Sequence, residues 1–352
     1  MKTKLYISSL LAVCITCVAQ ASDSIYKGEY IDGNHETGSV SFGPNVEATV
    51  TGELSINTVK SSSNIVLLST LKAGSISYNC QSPFDNGKTF LVWGSTVETK
   101  SFKATATEET PAVILFRDST LTSPNGETTG SFEVESNITA NVVGTTNGFS
   151  TIGMNTKVNG GSLNVWGNAS MDGIILNSGV VNVINKDNND YETSKIDSPI
   201  DLGDITVENG TLSLEEAAIV SDVTLNSGKL NIIGDVETGA LTLNGGTITF
   251  SADSTIDLGE ESLILGDNVA ITLNVDSLDN IAGVELFKTT GNVTGLDTLT
   301  VTLVDSTGAT KKTAVSYSNG SVVTGTVPEP TTATLSLLAL AGLATRRRRA
   351  SR

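Results

Sequence analysis

Histidine, cysteine and aromatic residues are scarce in this sequence of 352 residues. His35 is the one histidine, and two of the three cysteines lie within the first 17 residues, which leaves Cys80 in the body of the chain. A single thiol forms no internal disulfide, so we expect Cys80 to be a small buried side chain. One histidine indicates neither a His-paired nucleophile nor a histidine-rich metal site, and His35 is expected to be a loop residue.

Basic residues are few as well, 21 against 38 acidic ones, so the formal net charge is −17. Seven basic residues fall within the first four or the last seven positions. The chain between these ends, without Glu329, holds 14 basic and 37 acidic residues, a net charge of −23, and Arg117 is its only arginine. Such a surface repels nucleic acid and favours solubility outside the cell, so no nucleic-acid partner is expected.

What the sequence does contain is a repeat between residues 158 and 250. Five short sequence motifs each contain a glycine at an equivalent position, which we call the anchor glycine. The spacing from one anchor glycine to the next is 18, 31, 18 and 18 residues. The 31-residue spacing is one period with 13 extra residues, which surround the polar run 185–190. A fixed period that one loop interrupts is typical of a stacked solenoid. The anchors are Gly161, Gly179, Gly210, Gly228 and Gly246.

Apolar residues alternate with polar ones on both sides of each anchor, which predicts two short strands per unit and a looser piece between them, such as 234–239. Stacked units would place one apolar residue per unit in an inward column and one turn asparagine per unit in a second column, with Glu208 as the exception. The inward column is Leu163, Val181, Leu212, Leu230 and Ile248, and the asparagine column is Asn159, Asn177, Asn226 and Asn244.

The expected fold is therefore all-β, a parallel and right-handed β-helix or solenoid. A left-handed β-helix also suits 18 residues per coil but needs a hexapeptide rhythm, which Leu225, Asn231 and Glu237 do not keep. Phrases such as Asn244–Phe250 resemble the β-strand repeat of autotransporter passenger domains, over about residues 128–275. That resemblance implies an exported β-helical body.

Residues 1–21 have the features of a signal peptide. Lys2 and Lys4 precede the apolar stretch Leu5–Val18, and Ala19 and Ala21 form a small-x-small cleavage site. An uncleaved membrane anchor is the alternative. Signal peptidase is thus an expected partner.

Two β-rich parts flank the repeats. Residues 22–127 predict irregular first coils or a β cap, with a separate small sandwich as the alternative, because solenoid ends need covering. Their continuous apolar runs, such as Ala112–Phe116, predict strands buried on both faces. Residues 276–326 predict closing strands, among them Leu299–Val304.

The last segment, residues 327–352, carries the most specific motif. Pro328, Glu329 and Pro330 precede an apolar stretch at 333–344 that predicts a short transmembrane helix, and four arginines follow it to hold its end in the cytoplasm. This order resembles the PEP-CTERM sorting signal of Gram-negative bacteria. The resemblance implies that an exosortase-type enzyme recognises and cleaves the segment after transient anchoring in the inner membrane. The arginines are Arg346, Arg347, Arg348 and Arg349.

Candidates for chemistry are weak, and we expect no catalytic residues, no cofactor and no metal. By composition alone, two acid pairs could act on glycans in a polysaccharide-acting enzyme, the alternative function. Asn185, Asp187 and Asn189 resemble the start of a calcium loop, but Ile196 stands where the bidentate glutamate belongs. Trp93 and Trp166 fit either sugar stacking, as in a glycan-binding module, or partly buried packing. The acid pairs are Asp201 with Asp204 and Asp253 with Asp257.

These observations predict a non-enzymatic protein that is exported and sorted to the cell surface, the outer membrane or the extracellular space. Its expected role is structural, adhesive or within an extracellular matrix. Extracellular polysaccharide is a further candidate partner.

Overall fold

A computed structural model gives the fold. It describes residues 34–325 apart from 36–39, 43–46, 59–64, 68–69, 81–87, 109–110, 125–129, 146–147, 186–199, 217, 280 and 298. Within 34–89, side chains are described only at 72 and 74–78. Both expected targeting segments, including Ala19, Ala21, the Pro328–Pro330 motif and the Arg346–Arg349 cluster, lie outside the described residues.

The described residues form 28 strands and no helix. The first fourteen strands are β1 (Asn34–His35), β2 (Val40–Phe42), β3 (Glu47–Thr58), β4 (Ile65–Leu67), β5 (Thr70–Cys80), β6 (Lys88–Trp93), β7 (Thr96–Thr99), β8 (Ser101–Ala106), β9 (Ala112–Arg117), β10 (Thr120–Thr122), β11 (Ser131–Glu135), β12 (Ile138–Gly144), β13 (Ser150–Gly167) and β14 (Ala169–Ile184). The others are β15 (Ile200–Val207), β16 (Thr211–Glu215), β17 (Ala218–Val220), β18 (Val223–Leu225), β19 (Lys229–Ile233), β20 (Asp235–Thr238), β21 (Leu241–Phe250), β22 (Thr255–Asp257), β23 (Leu263–Asn274), β24 (Glu285–Lys288), β25 (Val293–Thr294), β26 (Thr300–Val304), β27 (Thr310–Ser318) and β28 (Ser321–Thr324).

The pairing is parallel almost throughout, and each strand bonds to the equivalent part of the coil before and after it. Each coil contributes strand segments to three such ladders. In β13, for example, Thr151–Ile152 belong to ladder one, Asn155–Val158 to ladder two and Ser162–Gly167 to ladder three. Ladder three runs through β2, β4, β6, β9, β12, β13, β14, β16, β19, β21, β23 and β26. The described chain is all-β with a long, mostly parallel sheet, as in a β-solenoid.

The sequence pattern predicts two strands per unit, whereas the structure has three. The piece expected to be loose, 234–239, contains β20, which pairs with β17 and β22 in ladder one. The reason is that only Val236 points inward as a large apolar residue, while its neighbours Asp235 and Glu237 are exposed. One buried side chain between two acids gives a weak strand signal.

The predicted inward column is confirmed. Leu212 pairs with Leu230, and Leu230 pairs with Ile248, on successive coils of ladder three. The 31-residue spacing is also explained, because Val181 pairs directly with Leu212 across the insertion and the ladder continues. All five residues of the column are at most 1% exposed. At about 25 cal/mol per Å², burial of such side chains is the main stabilising term.

Aromatic rings fill the interior of the earlier coils. Tyr78, Phe90, Phe102, Phe116 and Phe132 are fully buried and contact one another edge to face, with centroid distances of 5.1–5.8 Å. These residues come from ladders two and three, so the rings meet across the inside of the coil. Edge-to-face contacts add to the burial energy of each ring.

The expectation that Ala112–Phe116 is buried on both faces is wrong. The strand alternates: Ala112, Ile114 and Phe116 are buried, while Val113 and Leu115 are only half-buried on the outside. A continuous apolar run therefore marks an apolar outer surface on ladder three as well as a core.

Antiparallel strands close the C-terminal end. β27 pairs with β26 of ladder three, β28 pairs with β27, and β28 also pairs with β24 of ladder one. The hairpin thus joins two ladders across the last coil. Thr324, which is buried, accepts a hydrogen bond from Val284 N at 2.9 Å and donates to Ile281 O.

Candidate functional site

One outward column of ladder three contains both tryptophans of the chain. Trp93 pairs with Arg117, Arg117 with Val143 and Val143 with Trp166, and the column ends at Ile184. These side chains point outward because the residue before each of them is an inward core residue, and successive residues of a strand face opposite sides. We call these five positions the tryptophan column.

Within this column, the guanidinium of Arg117 lies over the ring of Trp93, with Cζ 4.8 Å from the ring centroid. This is the geometry of a cation–π contact, and it holds the indole against the strand. Trp93 is nevertheless 46% exposed. Trp166 is half-buried, and Val143, which lies between Arg117 and Trp166, is fully buried.

A ladder of buried serines fixes the backbone directly behind this column. Ser95 Oγ donates to Trp93 O at 2.7 Å, Ser119 Oγ donates to Arg117 O at 2.6 Å, and Ser150 Oγ donates to Val143 O at 2.7 Å. The serines also accept from one another's backbone: Ser95 N donates to Ser119 Oγ, and Ser119 N donates to Ser150 Oγ.

These hydroxyls turn the chain from ladder three to the next ladder and satisfy polar groups that burial would otherwise leave unpaired. The three serines are at most 6% exposed. The hydroxyls at this corner therefore fix the backbone carbonyl groups of Trp93, Arg117 and Val143, and with them the positions of these residues.

The same corner presents a further exposed aromatic residue besides Trp93. Phe149, which directly precedes Ser150, is 55% exposed. Beside it, the carboxylate of Asp118 accepts hydrogen bonds from Thr145 N at 2.7 Å and from Thr145 Oγ1 at 3.0 Å. Asp118 therefore fixes the position of Thr145 in the corner that leads to Phe149.

An amide column runs beside the tryptophan column, two residues earlier on the same strands. It consists of Asn141, Asn164 and Asn182, which are not among the residues predicted from the repeat. Asn164 Nδ2 donates to Asn141 Oδ1 at 2.9 Å, and Asn182 Nδ2 donates to Asn164 Oδ1 at 2.9 Å. Each amide still has a second N–H and a second lone pair.

The predicted corner asparagines do bond from coil to coil. Asn177 Nδ2 donates to Asn159 Oδ1 at 2.8 Å, and Asn244 Nδ2 donates to Asn226 Oδ1 at 2.7 Å. Glu208, the expected exception, takes a place in the same column, since Asn226 Nδ2 donates to its Oε2 at 3.1 Å. A carboxylate can substitute for an amide oxygen as acceptor, so the column tolerates it.

The candidate acids serve local structure where their contacts are described. Asp204 Oδ1 accepts from Asp222 N at 3.2 Å, and Asp257 Oδ1 accepts from Gly259 N at 2.9 Å. Asp201 is exposed on β15, and Asp253 is an exposed turn residue with a φ of 59°. No described contact brings the two members of either pair together.

Among the described residues, ion pairs occur on ladder one and on ladder two. Lys103 Nζ lies 2.8 Å from Glu135 Oε1 and 3.0 Å from Glu133 Oε2, both on the next coil. Its hydrogen bonds to Glu135 and to Glu133 raise the pKa of Lys103 above its usual value of 10.5. At Asp305, the hydrogen bond from Thr307 lowers the pKa of the carboxyl below 3.8.

Several sequence candidates lie outside the described residues or have no described side chain. Asp187, Asn189 and Ile196 of the calcium-like loop belong to the first group. His35 lies in β1, so the expectation that it is a loop residue is wrong. Cys80 lies in β5, and the burial of these two side chains is not described. In the described part of the chain, no three His, Cys, Asp or Glu side chains group in a way that could hold a metal ion.

Comparison with known proteins adds no relative: no family model, no curated protein and no solved structure matches this chain. Among the residues that the structure describes there is no helix of the length and apolarity that a membrane crossing requires.

Proposed function

We propose that this chain is an exported β-solenoid that is sorted to the cell surface and serves a structural or adhesive role in an extracellular matrix. Signal peptidase removes residues 1–21, and an exosortase-type enzyme acts at Pro328, Glu329 and Pro330 while the apolar segment before Arg346–Arg349 holds the chain in the inner membrane. The body then lies at the outer membrane or is released. The proposed winding is right-handed.

The observation that carries this proposal is the repeated outer surface of the three ladders. Ladder three stacks twelve strands, which at about 4.8 Å each extend roughly 50 Å. Side chains of one type recur along this surface, as in the asparagine and amide columns. A long side surface of this kind suits contact with an extended polymer or a neighbouring surface, and the −17 charge suits an exported location.

The alternative, a polysaccharide-acting enzyme on the same scaffold, gains no support from the described acids, because Asp204 and Asp257 accept backbone N–H groups. Glycan binding without turnover is the variant of the proposal that the tryptophan column favours, since it places both indoles on one outward face.

Mass spectrometry of the protein isolated from its native cells tests the proposal. We expect a mature N-terminus at Ser22, loss of the segment that begins near Pro328, and recovery in the outer-membrane or extracellular fraction. Replacing Pro328, Glu329 and Pro330 together by alanine should leave the C-terminal segment attached and the protein in the inner membrane. Pro111→Ala, at an exposed position of the body, is the control and should be processed normally. An intact chain of residues 1–352 in the cytoplasm would contradict the proposal.

A further inference from the structure

We propose that the tryptophan column, with the amide column beside it, binds a neutral linear glycan that lies along ladder three. This deepens the proposed function, on which it rests, by giving the matrix or adhesion role a ligand class. Three observations carry it: where the aromatic residues lie, which polar groups accompany them, and the charge around them.

The aromatic residues are concentrated. The chain has two tryptophans in 352 residues, and both occupy the same outward column, separated by three coil steps or about 14 Å. Phe149 is exposed at the corner that adjoins the column. Val143, which stands between Arg117 and Trp166 on the outward side, is fully buried, whereas Trp93 remains 46% exposed and offers one ring face to a ligand.

The ring of Trp93 is presented in a form that suits stacking. Arg117 covers one face of the indole and fixes its orientation, so little conformational entropy is lost when a ligand contacts the other face. The serine ladder holds the carbonyl groups of Trp93, Arg117 and Val143 in place behind the rings. Sugar rings have an apolar C–H face that can lie on such an indole.

The amide column supplies the second half of the recognition. On the coils of Val143, Trp166 and Ile184 it lies two residues from the tryptophan column, about 7 Å away along the strand. Leu91 and Leu115 hold the equivalent positions beside Trp93 and Arg117. Asn164 and Asn182 are half-buried, and their remaining N–H groups and lone pairs can bond to hydroxyls. A glycan extended along the ladder would place C–H faces on the indoles and hydroxyls on the amides. Binding sites generally combine apolar contact with a few placed polar groups in this way.

The charge distinguishes a neutral glycan from an acidic one. The chain has a net charge of −17, and Arg117, its single arginine between the end segments, is engaged with Trp93. A polyanion would therefore meet net repulsion, and the one arginine of the column is already engaged with Trp93. Neutral hydroxyl-rich chains meet no such repulsion.

Tryptophan fluorescence provides a direct test, because the only two indoles of the protein are in the site. The purified full chain is titrated with three neutral hexasaccharides, a β-1,4-glucan, a β-1,4-mannan and an α-1,4-glucan, and with polygalacturonate. We expect a saturable spectral change with at least one neutral hexasaccharide and none with polygalacturonate. Calorimetry should give the same affinity.

Variants then locate the site. Trp93→Ala and Trp166→Ala should each weaken binding about tenfold or more, and Asn164→Ala should weaken it by a smaller factor. Ile233→Ala is the matched control: Ile233 also points outward from ladder three and is 43% exposed, but it lies beyond the column. Circular dichroism and the thermal midpoint show that each variant is folded. Trp93→Phe, which keeps an aromatic face, should retain most of the affinity measured by calorimetry.

Absence of a saturable change with all three neutral hexasaccharides would overturn the inference, as would equal binding of polygalacturonate. An equal loss in Ile233→Ala and Trp166→Ala would also overturn it. None of these outcomes bears on export, since processing at both ends is read separately by mass spectrometry. A chain that is processed but binds no glycan would leave the proposed function standing and remove this ligand class.

Discussion

At the residue scale, the anchor glycines make close backbone contacts between coils. Gly179, Gly210, Gly228 and Gly246 all have positive φ, and each approaches the carbonyl oxygen of the anchor glycine on the preceding coil. A Cβ atom at Gly228 would lie 2.4 Å from Gly210 O. The glycines are thus required both by their backbone conformation and by the absence of space above the previous corner.

Gly228→Ala should therefore destabilise the fold more than Gly259→Ala. Gly259 also has positive φ, at 59°, but a Cβ there would meet nothing within 4 Å. The backbone conformation alone costs about 1–2 kcal/mol at either position, and the clash with Gly210 adds to this at Gly228. Urea unfolding of both variants measures the difference in free energy. Equal losses would show that the corners are not in the stacked contact described here.

Other single residues were predictable to different degrees. The corner asparagines were predicted, because Asn177, Asn226 and Asn244 recur at the same position of each phrase. The amide column was not, although it uses the same bond between coils. Two of its three members, Asn164 and Asn182, stand 18 residues apart, but Asn141 stands 23 residues before Asn164. A search for one fixed period does not connect them.

At the element scale, coil length explains which parts of the fold the sequence indicates. Coils of 18 residues repeat in the middle of the chain, where the inward column could be predicted residue by residue. Earlier coils are longer, since Ser95 bonds to Ser119, 24 residues on, and Ser119 to Ser150, 31 residues on. In these coils the strands keep their register while the corners between them differ in length. A search for a fixed period therefore does not predict that Trp93 pairs with Arg117. For this reason the sequence indicates Trp93 and Trp166 only as separate candidates for sugar stacking, and not as members of one column.

The ion pairs of Lys103 lie at the surface, so their contribution to stability should be small but can be isolated by pH. Lys103 on β8 contacts Glu133 and Glu135 on β11. Because these bonds raise its pKa in the folded state, Lys103 stabilises the fold at pH values below about 10.5, and the effect is lost as the pH rises through the folded-state pKa.

The stability of the wild type relative to Lys103→Met should accordingly decrease between about pH 9 and pH 12. Urea midpoints of both proteins across this range give the difference. Glu135→Gln, which removes the acceptor with the largest effect on Lys103, should show an intermediate decrease. A difference between wild type and Lys103→Met that does not change with pH would contradict the assignment.

At the scale of the whole molecule, the sides and the ends of the structure have different roles. The sides carry the repeated columns, and the proposed glycan contact is on one of them. An open end of a parallel sheet presents unpaired N–H and C=O groups that can add a strand from another chain. The C-terminal hairpin removes this opportunity for ladders one and three, because β28 bonds to β24 and β27 bonds to β26. The closing strands thus protect this end of the sheet against pairing with another chain.

Removal of residues 305–352 should therefore cause self-association. The truncation leaves β26 and β24 without their antiparallel partners and removes Val322, a buried residue that pairs with Phe287. We therefore expect the buried Leu286, Phe287, Val301 and Leu303 to become exposed. Light scattering coupled to size-exclusion chromatography should detect oligomers whose proportion rises with protein concentration. Truncation after residue 326 keeps the hairpin and should behave as a monomer in the same assay. If both truncated chains are monomeric and folded, the hairpin is not what prevents end-to-end association.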